Sequence, residues 1–283
     1  MAQAYLRCLH YLGFHPLVLS RSWLDYTDPD LLRFTLSSYQ PDVVINCAGY
    51  TGDTVDDCEV NKDECADANA VLVETISHEC NGRKFIHISS GCIFNGDGPF
   101  SENDPPNFTS GWYQQCKLAG EKAAGKDAWI FRIRMPFSHV PHKRNWLAKL
   151  QNYDRILDGL NSVTWIDEFA IRSWQLWQKS PPGIYHATQR NPVSTLDVAR
   201  MVKPDVKEYD PVQFIKSHVQ RSAAILDCSK FENAYGTPFT DSTVALRWCV
   251  KEMKTSRDTT PPPSEVRPQN QFPPPGLIHA PNT

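Results

Sequence analysis

Apolar positions along the chain alternate between two periods. Residues 4–12 carry them at helical spacing and stop at Gly13. Residues 16–20 (PLVLS) read as a short buried strand. The helical period resumes over 24–39 behind LDYTD, where Thr27 or Asp28 can cap it. Residues 43–46 (VVIN), bounded by Pro41 and Gly49, are apolar enough for a central parallel strand. The pattern then predicts a long helix over 58–79 and a strand over 84–89. A Pro/Asn-rich loop follows over 95–110, then a helix carrying Tyr113 and Lys117, and a strand over 129–134. Strand and helix at βαβ spacing predict an α/β fold with a doubly wound parallel sheet.

Past Pro136 the elements shorten. Helices are predicted over 144–153, 167–179, 195–202 and 242–254, and strands over 162–166, 183–188 and 224–227. The expected organisation is a Rossmann-like domain over 1–138 and a smaller substrate lobe over 139–256. Some segments of that lobe should return to the first domain. A proline-rich tail over 257–283 is expected to be disordered.

Composition narrows the classes. With 283 residues, 41% hydrophobic and 22% charged, the chain can bury a core of ordinary size. A net charge of −3 and the lack of a Lys/Arg-rich run argue against nucleic acid as a partner. No apolar stretch approaches the ~20 residues of a membrane span, and the N-terminus is not organised as a signal peptide. Nine cysteines without a C-x-x-C pair read as reduced thiols of a cytoplasmic protein, with no metal site.

The chemistry concentrates in residues 86–122, which end in Tyr113-x-x-x-Lys117. That spacing stands a phenol and an ammonium one turn apart on one helix face. A lysine there should favour the phenolate and make Tyr113 a usable proton donor and acceptor. Ser90, ending the preceding strand, is placed to hydrogen-bond a carbonyl oxygen. Together they form an acid–base set for carbonyl/alcohol redox chemistry. Other strand ends carry Ser20-Arg21 and Asn46-Cys47-Ala48-Gly49, where such sheets bind ligands. His87 reads as a satisfied core histidine, and Trp165, Trp174 and Trp177 as core of the smaller lobe.

With those residues in view, the sequence resembles the dTDP-4-dehydrorhamnose reductase family of extended short-chain dehydrogenases, and within it the bifunctional nucleotide-rhamnose synthase/epimerase-reductases. The resemblance rests on LDYTD, NCAGYTG, DDCE, SSGCIF, ENDPPNF, YQQCK, RIRMPF, RNWLAKLQNY, GIYHAT and ILDCSK, in that order. It implies NADPH- or NADH-dependent reduction of the C4 ketone of a dTDP- or UDP-linked 4-keto-6-deoxyhexose, giving a rhamnose nucleotide. Ser90, Tyr113 and Lys117 would be the reductase triad. Cys92 and Lys149 match the pair that inverts C3 and C5 in the bifunctional branch; related fucose synthases use a histidine, for which His139 and His142 are the rivals. The cofactor would touch Ser20, Arg21, Asp25, Asn46, Ala48, Gly49, Tyr113, Lys117 and Pro136, with Arg21 serving a 2′-phosphate. Ser90, Gly91, Cys92, Arg144 and Asn145 would face the sugar nucleotide. Oligomeric state is open, with a homodimer among the arrangements.

One part of the pattern is absent. Folds of this kind open with a strand and a glycine-rich turn that cradles pyrophosphate. No G-x-G-x-x-G occurs here, and the chain begins inside the helix that should follow that turn. The expectation is a sheet lacking its first strand, with either a start upstream of Met1 or a truncated, inactive form. A non-catalytic homologue, such as a regulatory subunit of methionine adenosyltransferase, is the alternative outside enzymes.

Overall fold

The computed structural model describes residues 1–80 and 82–258, with side chains through 255. The proline-rich tail lies outside the described residues. Helix α1 (Ala2–Tyr11) and helix α2 (Pro29–Tyr39) precede β1 (Val43–Asn46). Asp28 caps α2, accepting from the amides of Asp30 and Leu31, and Pro29 fills the first helical position. Next come α3 (Asp57–Val60), α4 (Lys62–Ala66), a π turn (Asp67–Val71) and α5 (Leu72–Cys80). The predicted 58–79 helix is thus broken at Asn61, which leaves helical geometry at φ −104° and ψ 67°. The chain continues through β2 (Lys84–Ser90), β3 (Gly96–Phe100), α6 (Trp112–Ala124), β4 (Ala128–Ile133) and β5 (Pro136–Phe137).

The second half holds α7 (Trp146–Leu150), β6 (Arg155–Ile156), β7 (Leu160–Asn161), β8 (Thr164–Trp165), α8 (Ile166–Leu176) and β9 (Gly183–His186). It finishes with β10 (Val193–Ser194), α9 (Thr195–Val202), β11 (Lys207–Glu208), α10 (Pro211–Phe214), β12 (Ala224–Leu226), α11 (Ser229–Tyr235) and α12 (Ser242–Asp258).

The central sheet has the order β1-β2-β4-β9, parallel throughout. Alternate residues of one strand feed two cores, as a doubly wound sheet requires. Ile86, Ile88, Trp129 and Phe131 pack under α1, α8, α11 and α12. Phe85, Ala128 and Ile130 pack under α2 and α5. Strand β9, from the second half of the chain, pairs with β4 and completes this sheet.

Two expectations fail. Residues 16–20 are not a strand. They run without a ladder partner among the described residues, leave Leu17 and Val18 exposed, and turn at Ser20. An apolar run without a neighbouring strand has nothing to satisfy its backbone groups except solvent. The predicted 95–110 loop holds β3, which pairs with β12 and stacks Phe100 on Phe94. Apolar periodicity could not reveal it, since β3 reads GDGPF. Among the described residues, no helix is long and apolar enough to cross a membrane.

Candidate active site

Strand β2 ends at the carboxyl edge of the sheet, and its last residue, Ser90, is buried. Helix α6 packs beside it and brings Tyr113 and Lys117 to the same end, both buried. Gly120 sets that approach: a Cβ there would lie 2.1 Å from the Asn69 carbonyl oxygen, so only glycine lets α6 lie against the π turn. The Ser90 hydroxyl favours the Tyr113 phenolate and accepts from the Cys92 amide at 3.1 Å. That second bond turns half-buried Cys92 into the small cluster holding Tyr113, Tyr50 and Val55.

The electrostatics differ from the expectation for Tyr113. Burial pushes the phenol up, and proximity to Cys92 adds to it. The Lys117 ammonium, on the same helix face, donates to the Ile88 carbonyl at 3.3 Å. Burial brings Lys117 down to about 8, against a smaller opposing pull from Glu121. The i, i+4 spacing correctly placed both groups on one helix face; what it missed is their shared desolvation.

Residues 144 and 149 are more open to solvent. Lys149, half-buried on α7, donates to the Asp53 carbonyl at 2.6 Å, and burial lowers its pKa. Exposed Arg144 reaches the Gly49 carbonyl at 3.5 Å. Asn145 turns inward instead: it caps α7 through the Leu147 amide and binds the Ser138 and Val140 carbonyls. Its side chain is committed to the backbone, so its expected place facing the sugar is corrected to a structural one.

Of the residues expected at the cofactor, Asn46, Ala48 and Gly49 lie together at the end of β1. Asn46 accepts from the Ala48 amide at 2.9 Å and meets His87 Nδ1 at 3.3 Å. Pro136 is exposed in β5. Ser20, Arg21 and Asp25 do not end a strand, since none forms there. Ser20 bonds Ser22 at 2.9 Å, Arg21 is exposed, and Asp25 accepts from the Thr27 amide at 3.1 Å. His87 is core and held neutral by burial and Lys117, but its Nε2 has no partner, so it is only half satisfied. His139 packs on Trp248 and lies 3.7 Å from Asp167, while His142 is exposed. Trp165 is fully buried; Trp174 and Trp177 sit at the core margin, edge-on to Phe14 and Trp129 respectively.

Arg134 went unnoticed. It is buried beneath the Ser90–Cys92 turn and donates to the Gly91 carbonyl at 3.0 Å. Two arginines within the apolar run of RIRMPF were the available signal, because charges on a central strand are buried ones.

Fold and cleft together define a Rossmann-type α/β protein with its polar groups at the carboxyl ends of the strands. The chain belongs to the RmlD substrate binding domain family, which it matches over residues 2–255. It is 31% identical over 182 residues to the bifunctional dTDP-4-dehydrorhamnose 3,5-epimerase/dTDP-4-dehydrorhamnose reductase of Arabidopsis thaliana, covering 59% of this chain and 60% of that one. It is 30% identical over 190 residues to the trifunctional UDP-glucose 4,6-dehydratase/UDP-4-keto-6-deoxy-D-glucose 3,5-epimerase/UDP-4-keto-L-rhamnose-reductase RHM1 of the same plant. That match covers 62% of this chain and 28% of the relative. The chain therefore spans less than two thirds of either relative. Among solved structures, it is similar to the L780 UDP-rhamnose synthase of Acanthamoeba polyphaga mimivirus, with a TM-score of 0.78 and 22% identity, over 89% of this chain and 95% of that one.

Proposed function

We propose that this protein is a cytoplasmic NAD(P)H-dependent reductase of the C4 ketone of a nucleotide-linked 4-keto-6-deoxyhexose, forming a rhamnose nucleotide, and that it also epimerises C3 and C5 of that sugar. The observation that carries this reading is the convergence of Ser90, Tyr113 and Lys117 beside Cys92 at the carboxyl end of β2.

The residues fit the nicotinamide end of a dinucleotide. A Cβ on Gly49 would lie 3.1 Å from Asn69 Oδ1 and 3.7 Å from Lys117 Nζ, so the end of β1 passes close to the lysine that would hold the nicotinamide ribose. When bound, the reduced nicotinamide supplies the hydride. Ser90 would hold the C4 oxygen through its hydroxyl, and Tyr113 would give that oxygen its proton. A phenol pushed up by burial holds its proton until an alkoxide, a stronger base, forms beside it. Lys117, on the same helix, would supply the positive charge that favours the resulting phenolate.

Before reduction, the protons next to the ketone are acidic enough for exchange. A thiolate on Cys92 would remove one, and Lys149, held on α7 against the Asp53 carbonyl, would return one from the opposite face of the sugar. This reading is supported by both groups adjoining the 50–55 loop, Cys92 packing with Tyr50 and Val55 and Lys149 donating to the Asp53 carbonyl.

Two variants test the two steps separately. Tyr113→Phe should lower ketone reduction by about 10²–10⁴-fold while leaving the fold intact. Wild-type turnover by that variant removes the assignment. Cys92→Ser should block solvent deuterium entry at C3 and C5, read by mass spectrometry, and undiminished exchange removes Cys92 from the mechanism. A wild-type chain inert on every such nucleotide, and retained by a methionine adenosyltransferase, would mark a regulatory subunit instead.

A further inference from the structure

Among the described residues three arginines are buried: Arg132, Arg134 and Arg172. Two are neutralised. Arg132 makes a two-pronged bond to Glu121 at 2.9 and 2.7 Å, and Arg172 meets Glu168 at 2.8 Å. Arg134 differs, since no carboxylate among the described residues pairs with it. Its guanidinium donates to the Gly91 carbonyl (3.0 Å), the Ser222 hydroxyl (2.8 Å), the Ser222 carbonyl (3.0 Å) and Asn161 Oδ1, and its Nε has no partner. Neutral acceptors solvate a buried charge without cancelling it, and leaving it uncancelled is costly. Arginine cannot escape by losing its proton.

The place of this charge is informative. The Gly91 carbonyl lies between Ser90 and Cys92. A Cβ on Gly91 would come within 3.0 Å of Arg134 Cγ and 2.5 Å of Leu226 Cδ1, so turn and arginine are packed without slack. The groups that act on Arg134 as anions when ionised are Cys92 and Tyr113. Lys117 and Lys149 also serve the cleft, with Cys58, Cys65 and Cys116 behind Tyr113 and Glu121 acting on Lys117. Burial lowers both lysines and Arg134 itself, but an arginine starts so high that Arg134 stays charged, and unlike exposed Arg144 it is buried against the Ser90–Cys92 turn.

We propose that Arg134 is the standing counter-charge of the cleft, a positioning residue that pins the Gly91 carbonyl and stabilises the negative charge that appears in turn on the Cys92 sulfur, the substrate oxygen and the Tyr113 oxygen. The inference deepens the function proposed above and takes the roles of Cys92 and Tyr113 from it; the charge imbalance stands without it. At each stage a single anion faces the arginine. When the thiolate takes a carbon-bound proton, an S–H bond forms, a C–H bond breaks, and the electron pair moves onto the ketone oxygen. In reduction, the C4 alkoxide takes the Tyr113 proton and the charge passes to the phenolate. The Lys149 ammonium returns a proton to the carbon after the first step and discharges the oxygen, so the negative charge of the reduction is a second one, brought to the C4 oxygen with the hydride.

The test needs neither cofactor nor sugar: the rate at which iodoacetamide alkylates Cys92 in the full chain, read by peptide mass spectrometry at pH 7. Arg134→Gln should slow the reaction about tenfold, and Arg134→Lys should keep most of the wild-type rate. Wild-type rates in Arg134→Gln, or equal loss in both variants, overturn the proposal. Should Arg134→Gln fail to fold, the wild type supplies the answer. Anionic iodoacetate should gain on iodoacetamide at Cys92 by about threefold or more relative to free cysteine; a ratio equal to that of free cysteine overturns the proposal. Should the alkylation rates behave as expected in a chain inert on every keto-sugar nucleotide, the enzymatic assignment falls and the counter-charge remains.

Discussion

Phe131 in β4 and Val44 in β1 lie in the same sheet, two strands apart, yet their surroundings differ. Every residue of β4 is buried, with apolar packing on both faces and a hydrogen-bonded strand on each side. Strand β1 has one hydrogen-bonded neighbour among the described residues, and its first three residues are only partly buried. The same contrast extends outward from β1. More than half of the large exposed apolar side chains among the described residues lie between 11 and 39, including Phe14, Trp23 and Phe34. The acid–base groups stand on the tightly packed half, and Asn46, Ala48 and Gly49 on the looser one. Proton transfer requires fixed geometry, and a rigid strand with a close-packed helix provides it.

Truncating one side chain in each half gives the largest expected difference. Phe131 is fully buried between Phe169, Tyr185 and Phe231. Phe131→Ala should cost about 3–5 kcal/mol in urea unfolding. Val44→Ala, in a partly exposed strand, should cost about 1 kcal/mol or less. Comparable losses at the two positions would show that the halves are equally packed.

The same contrast explains what could be read before any coordinates. Strands 43–46, 84–89 and 129–134 were legible because unbroken apolar runs in a βαβ rhythm have few other uses. Tyr113 and Lys117 were legible because i, i+4 spacing places two side chains on one face whatever surrounds them. The strand at 16–20 was read from the same kind of run, and it fails because strand formation depends on a neighbour that local composition does not report. β3 failed in reverse: Gly, Asp and Pro form a ladder there because β12 offers one. At the site, the position of Tyr113 was legible but its electrostatics were not. Desolvation is set by what packs over a residue, here Cys58, Cys65 and Cys116 from three separate helices. Asn145 shows the same limit, since the sequence shows an amide but not which carbonyls will claim it.

The smallest expected effect concerns how the looser half is held to the rest. Asp167, buried at the start of α8, pairs with Arg7 of α1 and accepts from the Ser138 hydroxyl at 2.6 Å. Burial alone would raise its pKa, but His139 and Arg7 overcome this and hold the carboxyl down at about 2. A folded-state value below the ordinary 3.8 means that the stabilisation is complete above about pH 4 and fades as pH falls toward 2. The shift corresponds to about 2 kcal/mol. Asp56, also held at about 2 by Arg221, titrates in the same window, but its bridge is more than a quarter exposed and solvent screens it. The fall in Tm between pH 4 and pH 2 should therefore be shallower in Asp167→Asn than in wild type, while Asp56→Asn changes it less. Amide exchange should reveal where the bond acts. In Asp167→Asn at pH 6, protection should fall in α1 and remain in β4, because α1 docks on α8 through this pair and the Tyr5–Ser173 bond of 2.6 Å. Equal loss of protection in β4 would mean that the two halves unfold together and that the difference in packing carries no difference in local stability.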